Sequence, residues 1–117
     1  MMHRILRASL VIAVVFASPV VAQADRDAEC ALQGDLFRLI QQARLDGVRV
    51  GQVPAAVAEA RPQYSEKLLA TVPQLANYVY AEFTKRQLRN LDLGEQTRQQ
   101  CVANWDQIQA MRDAVQN

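Results

Sequence analysis

The sequence predicts an all-α protein, a small bundle of four to five helices whose first and last helices are joined by one disulfide. Three observations lead there. Apolar residues recur at spacings of three and four along most of the chain, the period of one helical face. No stretch alternates apolar and polar residues over a useful length, so nothing reads as a strand. The 117 residues contain two cysteines, Cys30 and Cys101, placed near the two ends of the part that follows an export signal.

Arg4 and Arg7 give a short positive start, Ala8 to Ala17 an apolar run broken only by Ser9, and Ala22 and Ala24 the small residues that a signal peptidase requires. The reading is a cleaved secretory signal peptide over 1–24 and a single mature helical domain over 25–117. The apolar run is half of the roughly 20 residues a membrane-spanning helix needs. No stable membrane insertion is therefore expected after cleavage, and the mature protein is placed in the periplasm or outside the cell. In such a compartment two cysteines pair. A Cys30–Cys101 bridge ties the start of the mature domain to its last quarter.

The first helix spans about Arg26 to Asp46, with Leu32, Leu36, Leu39, Ile40 and Ala43 on one face. Gly34 within it marks a close helix crossing, since glycine is otherwise costly there by about 1 kcal/mol. Asp46-Gly47-Val48 is a C-terminal stop, with Gly47 in the left-handed conformation. Pro54 suits the first turn of a short second helix that ends before Arg61-Pro62 and is anchored by Val53 and Val57. A third segment spans Gln63 to Val72, and Pro73 breaks or kinks the chain after it. Val72, Leu75, Ala76, Val79, Tyr80 and Phe83 form the clearest apolar stripe. Lys85, Arg86 and Arg89 crowd its C-terminal end, where a helix dipole favours cations. Asp92 and Glu95 have the spacing of a capping box. The last helix continues from there to about Ala114 with Cys101, Trp105, Ile108, Met111 and Val115 in line.

Composition narrows the function by exclusion. Half of the residues are hydrophobic and there are only four glycines and four prolines, which excludes a disordered chain. The net charge of +1 falls to −1 when Arg4 and Arg7 are removed, which leaves no basic excess for nucleic acid. Cleavage also removes His3, the only histidine. Ser-His-Asp and Cys-His catalysis and histidine-ligated metals are then excluded, and Ser65 is the one serine left. No phosphate-cradling loop or calcium loop is present. No cofactor and no metal is expected, and no catalytic residue. The carboxylate pairs Glu59/Glu66 and Glu82/Glu95 read as solvated charges.

Tyr80, Phe83, Phe37 and Trp105 lie on core stripes. Tyr64 and Tyr78 do not, and both are candidate partner contacts, because tyrosine is enriched where proteins bind one another. The Lys85-Arg86-Arg89 cluster has a second reading as a contact for an acidic partner or anionic lipid.

The layout resembles that of many small exported helical proteins of bacteria with an early and a late cysteine. In Cys30, Cys101 and the Trp105-Asp106 pair it is also similar to the acid-activated periplasmic chaperones of enteric bacteria, which implies loosening and client binding in acid. It departs from them in placing Cys101 inside the terminal helix and in having only Lys67 and Lys85 as lysines. Size, export and a disulfide are shared with small periplasmic immunity proteins and enzyme inhibitors. The expected function is an exported, non-catalytic protein-binding module, such as an inhibitor or immunity protein for an envelope-acting enzyme. The alternatives are an acid- or stress-activated periplasmic chaperone and a small secreted protein with a structural role.

Overall fold

A computed structural model of the chain describes residues 19–116. The charged start and apolar run of the predicted signal lie outside the described residues. Seven α-helices and one 3-10 turn make up the described part, and no strand occurs in it. They are α1 (Pro19–Leu45), the 3-10 turn (Val50–Gln52), α2 (Val53–Ala60), α3 (Glu66–Leu69), α4 (Val72–Glu82), α5 (Lys85–Arg89), α6 (Leu93–Ala103) and α7 (Trp105–Gln116). The predicted cleavage point after Ala24 falls early in α1, ahead of Cys30.

α1 is the spine. It ends in the predicted stop: Gly47 has φ +78°, the Gly47 amide donates to the Arg44 carbonyl and the Val48 amide donates to the Ala43 carbonyl. These two bonds define a Schellman motif, in which only a residue that tolerates the left-handed region fits. α6 runs back along α1, with Leu93 at Gln41, Gly94 at Gly34 and Arg38, and Cys101 at Cys30. The crossing is close because both helices place glycine there. A Cβ on Gly34 would stand 2.8 Å from the Gly94 carbonyl oxygen, and one on Gly94 2.6 Å from that of Gly34.

The core lies between α1 and the shorter helices. Leu36 and Ile40 of α1 meet Val53, Val57, Val72, Ala76, Val79, Leu88 and Leu93, all buried. Val53 and Val57 anchor α2 as expected, with Pro54 in its first turn. Pro73 separates two helices instead of bending one, and it occupies the first turn of α4, where its missing N–H costs no bond. Ser65 caps α3, its hydroxyl accepting from the Leu68 amide at 3.1 Å.

Three expectations are corrected. The last predicted helix is two: the chain leaves helical geometry at Asn104, whose side chain donates to the Gln100 carbonyl at 2.9 Å. Asparagine has this local bond as an alternative to continuing the helix. Cys30–Cys101 therefore joins α1 to α6, the sixth helix, and α7 extends beyond it; the bond itself is formed, with S–S 2.07 Å and Cα–Cα 5.4 Å. Secondly, α4 ends at Glu82, and Lys85, Arg86 and Arg89 form a helix of their own. A full capping box at Thr84 and Gln87 starts it. Thirdly, Leu32 of the α1 stripe is 38% exposed, and Met111 and Val115 of α7 are 59% and 87% exposed. No helix among the described residues is long and apolar enough to cross a membrane.

Candidate functional site

α6 covers one side of α1. The other side borders a groove between α1, α3 and α4 of about 560 Å³. Phe37, Leu68, Leu75 and Tyr78 supply its apolar wall, Gln33 and Gln74 its polar edge, and no charged side chain lines it. Each element places one part. α3 is four residues long, so its adjacent Leu68 and Leu69 cannot share one side, and Leu68 is left facing the groove. In α4, Val72, Ala76 and Val79 turn inward while Leu75 and Tyr78 flank them. Tyr78 is 53% exposed, and its ring meets Phe83 edge-on at 6.2 Å.

A second, shallower depression of about 550 Å³ adjoins the groove through Leu68 and includes Ala28, Leu32 and Tyr64. At its floor Asp35 holds α1 to the link between α2 and α3. Arg61 donates to the two Asp35 oxygens from Nε at 2.8 Å and Nη2 at 2.9 Å, and the Tyr64 hydroxyl donates to Oδ2. The Arg61 hydrogen bonds hold the Asp35 carboxyl below its ordinary range against the opposing effect of burial. Burial first, then the neighbouring carboxylate, pushes the Tyr64 phenol up to about 12. A third depression between α1 and α7 includes Leu32 and Trp105, beside the Arg112–Glu29 ion pair.

The two tyrosines singled out from the sequence thus part company. Tyr78 stands at the groove with its ring open to solvent. Tyr64 is buried, and its hydroxyl is engaged by Asp35, so it is a packing residue of the second depression. Cys30 and Cys101 are buried and bonded to each other. Glu59, Glu66 and Glu82 are exposed, while Glu95 pairs with Arg98 in the same helix. No group of three metal-ligating side chains comes together among the described residues. Sequence reasoning missed Phe37, Leu68 and Leu75 as surface features. The doubled leucine was the available signal, since adjacent residues of a helix point to different sides.

Comparisons with protein-family models, with curated proteins and with solved structures returned no match. The functional reading therefore rests on the geometry of this chain.

Proposed function

We propose that this is an exported, non-catalytic protein-binding module, and that the α1–α3–α4 groove receives its partner. The observation that carries the proposal is the groove itself: an apolar, uncharged trough that ends at an exposed tyrosine. Aromatic anchors beside apolar pockets are the usual centres of binding energy between proteins. The scaffold suits the role. A disulfide and a glycine-to-glycine helix crossing hold α1 against α6, and the buried packing of Leu36 and Ile40 with Val72, Ala76 and Val79 sets α4 against α1, so the groove walls are formed before binding and little ordering cost remains. The export signal and the disulfide support a periplasmic or secreted location, and an inhibitor or immunity role toward an envelope enzyme fits a rigid one-site binder.

The test is capture from native envelope extract at neutral pH by the oxidised protein, compared with its Tyr78→Glu and Phe37→Glu variants. One partner in near-equal amount, lost by at least tenfold with either variant, supports the proposal. That loss corresponds to about 1.4 kcal/mol. A partner retained by both variants would place the binding surface elsewhere.

A second reading is favoured by Asp35. Protonating it in acid removes the negative charge that holds Arg61 and turns one of the two accepting oxygens into a donor, which weakens the bonds from Arg61 and Tyr64 and loosens the segment beside Leu68. An acid-activated chaperone needs such a release. Suppression of client aggregation in acid but not at neutral pH, and at both pH values in Asp35→Asn, supports that reading; no suppression at any pH rejects it.

A further inference from the structure

We infer that two copies of this chain meet through α7, the apolar stripe of each α7 lying on the α1 of the other copy. This surface is separate from the groove, and the inference does not depend on the groove being a binding site. Among the described residues four large apolar side chains are exposed: Leu32, Tyr78, Met111 and Val115. Tyr78 belongs to the groove. The other three gather at the end of the molecule where α7 runs beside the first half of α1. α7 meets α1 there through Trp105, Gln109 and Arg112, and it buries no residue in doing so. Ile108, Met111 and Val115 follow at spacings of three and four about a quarter turn away. With Arg112 they border a shallow apolar depression of their own. Met111 and Val115 therefore have no cover within the described part of the chain.

A second copy fits this surface by charge and by shape. A two-fold axis places a patch against the same patch, so an uncompensated charge within it meets its own kind. At about 100° per helical residue, Asp106 and Asp113 fall on the side of α7 opposite the stripe. Gln107 and Ala114 flank the stripe on one side, and on the other Arg112 is neutralised by its ion pair with Glu29. Asp25, the remaining charge bordering the depression between α1 and α7, is offset by the amino terminus that the predicted cleavage after Ala24 creates. The patch also holds both halves of a contact. It offers a helix with an apolar stripe and, beside it, a depression of about 490 Å³ with Ala28, Leu32 and Trp105 in its lining. Each copy gives its stripe and receives the other's, which is the self-complementarity of a two-fold interface. The reciprocity also supplies area. α7 has 12 residues and is about 18 Å long. Docking such a helix twice brings the contact toward the roughly 1,200 Å² at which specific interfaces begin.

The experiment is sedimentation velocity on the oxidised protein, expressed from the full chain, at concentrations from about 1 μM to about 200 μM. A dimer whose share rises with concentration is expected. Met111→Glu, Val115→Glu and Leu32→Glu should each raise its dissociation constant at least tenfold. All three side chains are exposed, and unchanged melting curves check that the variants fold. Tyr78→Glu, in the groove, should leave the dimer as it was. Mixing Met111→Glu with Leu32→Lys should restore association that neither variant shows alone, because in the mixed dimer one contact becomes an ion pair and the other is native. A monomer at every concentration overturns the inference. So does a dimer indifferent to Met111→Glu and Val115→Glu. Loss of the dimer in Tyr78→Glu alone would mean that the copies meet at the groove instead. Sensitivity to Met111→Glu without sensitivity to Leu32→Glu overturns the seating of α7 on the other copy's α1.

Discussion

Gln41 holds together parts of the chain that are far apart in sequence. Its amide nitrogen donates to the carbonyls of Leu88 and Leu91, each at 2.6 Å, and its oxygen accepts from the Leu93 amide at 3.0 Å. One buried side chain thus satisfies three backbone groups in the turn from α5 to α6. Replacing it with leucine leaves those groups without partners in the interior, so Gln41→Leu is expected to cost about 3 kcal/mol in a denaturant titration. Gln33 and Gln42, on the same helix, should each change stability by under about 0.5 kcal/mol when replaced by alanine. Nothing in the sequence distinguishes these three glutamines, because the groups that Gln41 serves lie about fifty residues downstream. Gly34 was legible, since a glycine inside a helix has a cost that a close approach explains. Gly34→Ala is expected to destabilise the protein by about 1–3 kcal/mol from overpacking against the Gly94 backbone, although alanine is the better helix former. A more stable Gly34→Ala variant would mean that the crossing can open without penalty. Asp35 gives a pH dependence with a definite sign. Its folded pKa is held below the unfolded value of about 3.9, so its contribution is complete above that value and lost as pH falls through the folded one. Denaturant midpoints between neutral pH and pH 2 should fall more steeply for the native sequence than for Asp35→Asn.

Among the elements, α1 and α6 form the fixed frame, and α7 is appended to it. The bridge closes a separation of 71 residues, which on the chain-entropy model is worth roughly 4 kcal/mol. Reduction should therefore lower the unfolding free energy by an amount of that order, read in parallel denaturant curves with and without reductant. α7 contributes no buried residue, and its described links to α1 are the Arg112–Glu29 pair and the setting of Trp105 beside Leu32. Ending the chain after Asn104 should cost under about 1 kcal/mol in the same assay. A larger loss would show that Trp105 closes the core after all. The helices with a full apolar stripe, α1 and α4, were legible in the sequence, as were the stops at Gly47 and before Pro62; Pro73 was legible as an interruption, but α3 already ends at Leu69 and Pro73 belongs to the first turn of α4. The division into α4 and α5 was not, because the stripe runs on through Phe83 without interruption. Thr84 and Gln87 have the spacing of a capping box and mark the new start, but apolar periodicity outweighed it. The break at Asn104 was hidden in the same way by the line from Cys101 to Val115.

At the scale of the whole molecule, the fold leaves a groove beside α1, between α3 and α4, and the proposed partner surface lies there. Sequence reasoning singled out Tyr78 but not the groove at which it stands. A groove is a property of how three helices diverge, and apolar residues that line it carry the same pattern as those that fill a core. The most direct test is site-specific photo-crosslinking in living cells. A photoreactive phenylalanine analogue replaces Tyr78 in the groove, Gln74 on its edge, or Gln100 on the exposed part of α6. The account predicts one cross-linked protein partner, shared by positions 78 and 74 and absent at position 100. Cross-links formed equally at all three, or at 100 alone, would contradict it.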